Sequence, residues 1–209
     1  MPAVFLPKML KVPASTNFKS RLKIAPTTFA EATELLKPLA ADGDHIFGLT
    51  RGQASMIDLA LAAMEIAGAP VDLSVWTWVV ADYEIALVES LLDDKRVSAF
   101  RMVVDQGCLS RRPGFINNVI HRFGGDAVRV TVNHSKIAMV RGPHADILLR
   151  GSMNFNQNRC LEQFDATWSF DLCEWFEGVM AQVWEVGKAP DDPDASRSEF
   201  GSLLEDMRT

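Results

Sequence analysis

The sequence predicts an α/β fold in which a mostly parallel, mixed sheet is covered by helices on both faces. Segments with the patterns of strands and helices alternate from about His45 to Val132, which is typical of sheets built from β-α-β units. The predicted strands are nearly continuous apolar runs, as expected for strands that are buried on both faces. With 209 residues, of which 48% are hydrophobic and 23% charged, the chain has the length and composition of one ordinary globular domain.

The composition divides the chain into three segments. Residues 1–26 contain five basic residues and no acidic one, so we expect a basic N-terminal arm there. A solvated tail and a segment that contacts nucleic acid or a protein partner fit this composition equally well. Residues 27–188 are expected to form a single α/β domain, and residues 189–209 an acidic C-terminal tail with a short helix near 200–207.

Helices are predicted from apolar residues at helical spacing and from the residues at helix ends. Thr28 and Glu31, three residues apart, form a capping-box pattern that predicts a helix from there to about Leu39. Gly68 is expected to end a helix over residues 55–67, because glycine favours the conformation that follows a helix. Further helices are predicted over residues 83–92, 115–123 and 173–185.

Strands are predicted over residues 45–50, 71–79, 97–104, 128–132 and 164–169, which are rich in apolar, β-branched and aromatic residues. The strand that begins at Val128 is expected to continue through His134 to Val140. A turn at Gly142-Pro143 then joins it to a strand over residues 147–149. Binding sites in sheets of this kind lie at strand ends and in the loops that follow them.

Charge and cysteine usage limit the class of protein. A formal net charge of −6 and a pI near 5.2 argue against a protein that coats nucleic acid through bulk positive charge, although they allow a local basic cleft. The three cysteines, Cys108, Cys160 and Cys173, have no CxxC pattern, which favours buried thiols in a reducing compartment. Three prolines interrupt the apolar N-terminus, so we expect no signal peptide and no membrane anchor. A cytoplasmic location follows as the expectation.

His134 and Lys136 are the first candidate site residues. Two residues apart on a strand, they point to the same face. A lysine within an apolar strand is costly unless an anion or a hydrogen-bonding group lies opposite, which indicates a phosphate or another oxyanion. Alternatively, this strand lies at the edge of the sheet and both side chains face water.

The second candidate segment is Gly151-Ser152-Met153-Asn154. Gly151 permits a close backbone approach, and the side chains of Ser152 and Asn154 are donors near the start of a helix-like stretch, a place suited to anions. Simple N-capping of that stretch is the alternative for both. Glu162, eight residues after Asn154, is placed to reach back to a histidine nitrogen and fix its tautomer.

Together, His134-x-Lys136, Gly151-Ser152-x-Asn154 and Glu162 resemble the phospholipase D superfamily, whose motif is H-x-K-x4-D followed by G-S-x-N. The resemblance covers the alternating pattern from about His45 to Trp184. One position departs from it, because the aspartate of the motif falls at Arg141. Asp146, in a longer hairpin, is the candidate substitute; the family aspartate is generally structural, so the departure concerns hairpin geometry and, mildly, activity.

The resemblance implies a metal-independent phosphodiesterase without a cofactor. By this likeness the catalytic residues are His134, Lys136, Asn154 and Glu162: His134 forms a phosphohistidine, and Glu162 orients it. Lys136, Ser152 and Asn154 bind the phosphate. Such enzymes use two motifs, and this chain has one, so the resemblance implies a homodimer whose active site is shared by the two copies of His134.

Three functions fit these residues. The first is an endonuclease acting on DNA or RNA, supported by chain length, the single motif and the basic residues Lys19, Arg21, Lys23, Arg111, Arg112 and Arg122. Trp76 and Trp78 lie at a strand end and can stack on bases or belong to the core. The second is a phospholipid hydrolase or transferase, for which the sequence offers no evident apolar anchor. The third is a non-catalytic scaffold or binding protein, supported by Arg141.

Overall fold

A computed structural model of the chain describes residues 21–24, 31–50, 52–107, 113–155 and 160–186. Outside these ranges lie most of the predicted arm, the predicted tail, Thr28, Cys108 and the stretch 156–159. Of the two described cysteines, Cys173 is buried as predicted, while the same prediction is wrong for Cys160, which is exposed. The strands are β1 Arg21–Ile24, β2 Asp44–Thr50, β3 Val71–Thr77, β4 Val97–Asp105, β5 Val128–Thr131, β6 Ile137–Arg141, β7 Asp146–Gly151 and β8 Glu162–Trp168. The helices are α1 Ala32–Leu36, α2 Met56–Ala67, α3 Asp82–Asp93, α4 Pro113–Phe123 and α5 Phe170–Val186.

The eight strands form one mixed sheet in the order β1-β2-β8-β7-β6-β3-β4-β5. Six of them run in one direction and only β6 and β8 run in the other, so the predicted mostly parallel, mixed sheet is confirmed in its strand directions. Four of the seven pairings are nevertheless antiparallel, because β6 and β8 lie beside β3, β7 and β2 in the centre of the sheet. Strands β8, β7 and β6 thus lie between β2 and β3 in the sheet, and the second half of the motif follows at the end of β7.

Helices cover both faces of the sheet, as predicted. Helices α1, α2, α3 and α4 pack on one face, around Leu35, Leu59, Ile85 and Val119 among others. Helix α5 packs on the other face, where Phe176, Met180 and Val183 contact Val103, Met139 and Leu148. Burial on both faces explains why the strand sequences are apolar along their length and do not alternate.

Most element predictions are confirmed to within a few residues. Helix α2 ends at Gly68 as predicted, with φ of 77° at that glycine. The capping box predicted at Thr28 is wrong in position: Glu31 is the N-cap residue of α1 and makes no side-chain cap. The capping box of the described chain is formed by Ser55 and Asp58 at the start of α2.

Strand β1 lies within the segment predicted to be an arm. It pairs in parallel with β2, Arg21 opposite Asp44 and Ile24 opposite Phe47. Basic and apolar residues alternate in the sequence from Arg21 to Ile24, a period of two that indicates a strand. The sheet therefore begins before the residue 27 boundary proposed for the domain.

Candidate active site

The predicted site residues meet at one edge of the sheet, which we call the site edge. Strands β3, β4, β5 and β7 end there, at Thr77, Asp105, Thr131 and Gly151, and β6 and β8 begin there, at Ile137 and Glu162. The loop between β5 and β6 carries His134 and Lys136, and the loop after β7 carries Ser152 and Asn154. The two halves of the motif are joined by a hydrogen bond from the Gly151 N–H to the Lys136 carbonyl, 3.1 Å.

His134 and Lys136 lie in a loop, and the prediction that they stand on a strand is wrong. The side chain of Asn133 accepts a hydrogen bond from the Ser135 N–H at 2.9 Å, a local turn that competes with strand pairing. Strand β6 begins only at Ile137. The loop still brings the two side chains together, because Lys136 Nζ lies 3.3 Å from His134 Nδ1.

Lys136 is a buried cation, 8% exposed. Its ammonium donates to the His134 carbonyl at 2.8 Å and contacts His134 Nδ1, which uses two of its three hydrogens. Burial lowers the pKa of Lys136 from its ordinary value, while the charges of Glu162 and Asp105 act to raise it. No partner for the third hydrogen lies among the described residues, so an incoming anion could take it and relieve the cost of burying the charge.

The contact between Lys136 and Nδ1 bears on the protonation of His134, which is exposed. When the charged ammonium donates to Nδ1, a neutral imidazole carries its hydrogen on Nε2. A neutral imidazole is too weak an acid to give a proton to a leaving group, which requires the imidazolium form with hydrogens on both nitrogens. A nucleophilic Nε2 requires the other tautomer, in which Nδ1 carries the hydrogen and needs an acceptor.

The side chains of Ser152 and Glu162 are hydrogen-bonded to each other. The Ser152 hydroxyl donates to Glu162 Oε2 and accepts the Gln163 N–H at 3.0 Å. The backbone of Gly151 runs so close to β8 that a Cβ there would lie 2.5 Å from the Gln163 carbonyl oxygen. The predicted need for glycine is therefore confirmed, and its cause is the neighbouring strand. Glu162 acts on Lys136 through its charge; its orientation of His134 stays a prediction.

Asn154 is half-buried between Met153 and Phe155, whose side chains belong to the core. Its Oδ1 is buried and has no hydrogen-bond partner in the described ranges. Leaving a buried amide oxygen without a partner costs about 1–3 kcal/mol. Such a cost is common at binding sites, where a ligand or a partner chain supplies the missing bond. The helix-like stretch expected after Asn154 lies outside the described residues.

The structure adds two residues that the sequence did not single out as site residues. Asp105 Oδ2 accepts the Asn133 N–H at 3.0 Å. Thr77 accepts the Phe155 N–H on its hydroxyl at 3.1 Å and the Asn133 side chain on its carbonyl at 3.4 Å, so it fastens both halves of the motif to the end of β3. The signal available in the sequence was a polar residue at the end of an apolar strand.

Trp76 and Trp78, considered together from the sequence, have different surroundings. Trp76 packs against Phe176 of α5, with ring centroids 5.3 Å apart, and belongs to the core. Trp78 is at the site: its ring centroid lies 5.4 Å from that of His134 and 5.9 Å from Lys136 Nζ. The core interpretation holds for Trp76, and Trp78 remains a candidate for contact with substrate.

Comparisons with known proteins found likenesses among solved structures. The chain is similar to Nuc, a phospholipase D family member from Salmonella typhimurium, with 19% sequence identity and a TM-score of 0.47 over 69% of this chain and 95% of that one. It is also similar to TrmBL2, an archaeal chromatin protein, with 11% identity and a TM-score of 0.41 over 75% of this chain and 58% of that one. No protein-family model matches the sequence, and no curated protein is similar to it. The assignment of the site rests on the positions of its residues.

Arg141 and its candidate substitute Asp146 form an ion pair at the other end of β6 and β7. Arg141 Nε lies 3.0 Å from Asp146 Oδ2, and a second nitrogen lies 3.1 Å from Glu174 Oε2 in α5. Arg141 and Asp146 are register partners that close the hairpin. Arg141 is the last of the five residues of β6 and lies five positions after Lys136, about 16 Å along an extended chain. Arg141 is therefore a structural residue and does not enter the site.

This end of the sheet, which we call the opposite edge, also has an open cavity of about 610 Å³ lined by Arg141, His144, Asp146 and Phe170 among others. Charged groups that line it are paired within the chain: Arg141 forms an ion pair with Asp146, and Asp72 accepts a hydrogen bond from the Ser98 hydroxyl. Among the described residues, no three His, Cys, Asp or Glu side chains are grouped so as to hold a metal ion. None of the described helices has the length and apolar character needed to cross a bilayer.

Proposed function

We propose that the chain is a metal-independent phosphodiesterase that acts through a phosphohistidine at His134, with DNA or RNA as its substrate and an active site shared across a homodimer. The observation that carries the proposal is the pair of His134 and Lys136 at the site edge. An exposed imidazole stands beside a buried ammonium that keeps one hydrogen available. Ser152 and Asn154 lie in the neighbouring loop, where a phosphoryl group in contact with both loops would find donors.

In the first step, Nε2 of one His134 forms a bond to phosphorus, and the bond from phosphorus to the leaving oxygen breaks. The leaving oxygen takes the proton from Nε2 of the second His134, which acts in its imidazolium form and becomes neutral. The nucleophilic His134 needs its hydrogen on Nδ1, and we assign Glu162 as the acceptor. This requires Lys136 to turn from Nδ1 towards the phosphoryl oxygens when substrate binds.

In the second step, water attacks the phosphohistidine. The second His134, now without its proton, takes a proton from that water, and the bond between nitrogen and phosphorus breaks to release the phosphate product and free His134. Lys136 and Asn154 stabilise the charge on the phosphoryl oxygens in both steps. Ser152 can join them only when its hydroxyl leaves Glu162. No step requires a group that the two chains do not supply.

The homodimer is supported by the surface around the motif. Val132 is 62% exposed and Leu161 is 69% exposed. In the sequence, Val132 lies two residues before His134, and Leu161 is next to Glu162. Apolar side chains at the rim of an incomplete site suit a two-fold interface in which the same patch meets itself. The same side chains would also suit contact with lipid acyl chains, which makes a phospholipid hydrolase or transferase the second candidate.

Nucleic acid is preferred as the substrate because Trp78 offers an aromatic surface beside His134 on which a base could stack. The basic residues on the surface give weaker support. Arg122 is paired with Glu89 at 3.2 Å, while Arg111 and Arg112 lie outside the described residues. With a net charge of −6, we expect weak and strongly salt-dependent binding.

The proposal is tested by incubating the protein in EDTA with single-stranded DNA, RNA, bis(p-nitrophenyl) phosphate and phosphatidylcholine vesicles. His134→Ala is compared with His144→Ala, a matched control because His144 is also exposed but lies at the opposite edge. We expect cleavage of nucleic acid and of the chromogenic diester, abolished by His134→Ala and retained by His144→Ala. Equilibrium sedimentation should show a dimer.

Each of the other outcomes has a distinct meaning. Turnover of phosphatidylcholine alone would replace the nuclease by the lipid enzyme. Turnover that is unchanged in His134→Ala would refute the mechanism. A monomer at the assay concentration would refute the shared site. Absence of turnover on every substrate, with the dimer intact, would favour the non-catalytic scaffold.

A further inference from the structure

Asp105, the last residue of β4, collects three hydrogen bonds at the site edge. Its Oδ1 accepts the Trp78 indole N–H at 3.0 Å and the Gly107 N–H at 2.8 Å. Its Oδ2 accepts the Asn133 N–H at 3.0 Å. The first bond reaches the residue after β3, and the last reaches the loop that carries His134. One carboxylate therefore joins the ends of two strands to the motif loop.

Trp78 connects this carboxylate to the reacting groups. Its indole nitrogen is held by Asp105, and its ring contacts His134 with an interplanar angle of 55°. Lys136 Nζ lies 5.9 Å from the same ring, within the range of a cation–π interaction. The half-buried indole therefore packs against the imidazole of His134, which is otherwise exposed.

We propose that Asp105 and Trp78 are positioning residues of the phosphodiesterase site, Asp105 fixing the indole and the Asn133 backbone, and the indole fixing the ring of His134. This inference rests on the proposed function. Neither residue touches the phosphorus or the leaving oxygen in the mechanism above. Their role is to reduce the number of orientations open to His134 before substrate binds.

The chemistry of Asp105 explains why a carboxylate is needed. All three partners are donors, and a carboxylate accepts on both oxygens. An asparagine at position 105 would present a donor to one of them, so that either the indole or the Asn133 N–H would face an N–H group. The negative charge also acts to raise the pKa of Lys136 against the effect of burial, which helps to keep the ammonium protonated.

The first test reads the position of His134 without any activity. The ring-proton signals of His134, assigned with His134→Gln, would be recorded by NMR in Trp78→Leu, Asp105→Asn and the control Trp184→Leu. Trp184 is also a half-buried indole that donates to the chain, but it contacts Arg101 and Arg129. We expect the chemical shifts of the His134 ring protons to change in Trp78→Leu, which removes the ring current of the indole, and in Asp105→Asn, which alters the orientation of the indole. The shifts should stay the same in the control. Unchanged signals in Trp78→Leu would overturn the inference.

The second test separates positioning from stability and from binding. We expect Trp78→Leu and Asp105→Asn to lower kcat by about 10–100-fold. KM for a nucleic acid should change by less than about threefold in Asp105→Asn, and should rise in Trp78→Leu because the ring that offers a surface to a base is removed. Trp78→Phe, which keeps a ring beside His134, should recover most of the loss. The double variant should lose less than the product of the two single losses, because Asp105 acts in part through the indole.

A structural role alone would give a different pattern: a lower melting temperature, a lower active fraction, and unchanged kcat for the folded enzyme. That pattern, or equal losses in Trp78→Phe and Trp78→Leu, would refute positioning by the ring. If the wild type shows no turnover that depends on His134, the proposed function fails. The NMR measurement then still decides whether Asp105 and Trp78 hold the ring.

Discussion

The two edges of the sheet both carry charged side chains, and they differ in how those charges are satisfied. At the opposite edge, Arg141 is bonded to Asp146 and Glu174, and Asp72 accepts a bond from Ser98. At the site edge, and within the part of the chain that the structure describes, the Lys136 ammonium is buried with only His134 as hydrogen-bond partner, and Asn154 Oδ1 is buried with none. The charges named at the opposite edge are therefore paired within the chain, while the two groups named at the site edge are not fully paired.

This difference separates a cavity from a candidate site. The open cavity of about 610 Å³ lies at the opposite edge, where the charges are already paired within the chain. The site edge holds the buried ammonium of Lys136, which an anion would stabilise, and the buried Asn154 Oδ1, which needs a hydrogen-bond donor. Strained or incompletely satisfied polar groups are a better sign of chemistry than concavity, because natural folds retain such costs mainly where function requires them. Substitutions at the site edge should therefore lower activity with little effect on stability, and substitutions at the opposite edge should lower stability with little effect on activity.

Lys136→Met gives the largest expected effect. Activity on the chromogenic diester should fall by ~10³-fold or more, because the charge on the phosphoryl oxygens loses its cation. Stability in urea should be unchanged or slightly higher, since an apolar chain of similar length replaces a buried ammonium. A variant that keeps its activity, or that loses activity only because it unfolds, would contradict the role of Lys136.

Asn154→Ala comes next. We expect kcat to fall by ~10²–10³-fold, as for the loss of one oxyanion donor. The free energy of unfolding should change little, because the amide oxygen that is removed has no hydrogen-bond partner among the residues that the structure describes. Steady-state kinetics and a urea titration on the same sample measure both. A loss of more than about 2 kcal/mol in stability with normal kcat would instead make Asn154 structural.

Arg141→Met should reverse this pattern. Removing the guanidinium leaves Asp146, whose side chain is 12% exposed, without its partner, and should lower the free energy of unfolding by about 1–2 kcal/mol. We expect kcat to change by less than about threefold, because position 141 lies about 16 Å along the strand from Lys136. A tenfold loss of kcat in a fully folded variant would show that Arg141 influences the active site, and would contradict the distinction between the two edges.

The smallest expected effect is on the pH dependence. Burial lowers the pKa of Lys136 from 10.5, so the alkaline limb of kcat/KM should lie below that of an exposed lysine. Glu162→Gln removes a charge that raises this pKa and should move the limb to lower pH. Because the unfolded chain binds the proton more tightly, the contribution of Lys136 to stability should increase as pH rises from its lowered pKa to 10.5. A limb that stays in place in Glu162→Gln would contradict this coupling.

The fold could be predicted largely from the sequence, because apolar periodicity marks the helices and continuous apolar runs mark the strands. Ser55–Asp58 and Gly68 show why helix ends are readable: the residues that cap a helix are close in sequence. The predictions that failed depend on other information. The strand through His134 fails because Asn133 forms a turn with Ser135, and the apolar pattern on either side gives no sign of it.

The candidate residues could also be predicted, but several of their partners could not. Asp105 and Asn133 are 28 residues apart in the sequence, and Thr77 is 78 residues from Phe155. Such contacts follow from the order of strands in the sheet, which local patterns do not determine. The same limit applies to Glu162, whose hydrogen bond from the Ser152 hydroxyl was not foreseen and whose orientation of His134 stays a prediction. Its proposed orienting role needs the substrate-bound dimer.

The most direct test of the central claim is to trap the covalent intermediate. The protein would be mixed with a ³²P-labelled phosphodiester in EDTA, quenched at alkaline pH where a phosphohistidine survives, and digested for mass spectrometry. We predict one labelled peptide that carries the phosphoryl group on His134, present in His144→Ala and absent in His134→Gln. Substrate turnover without label on His134, or with label on another residue, would contradict the proposed chemistry.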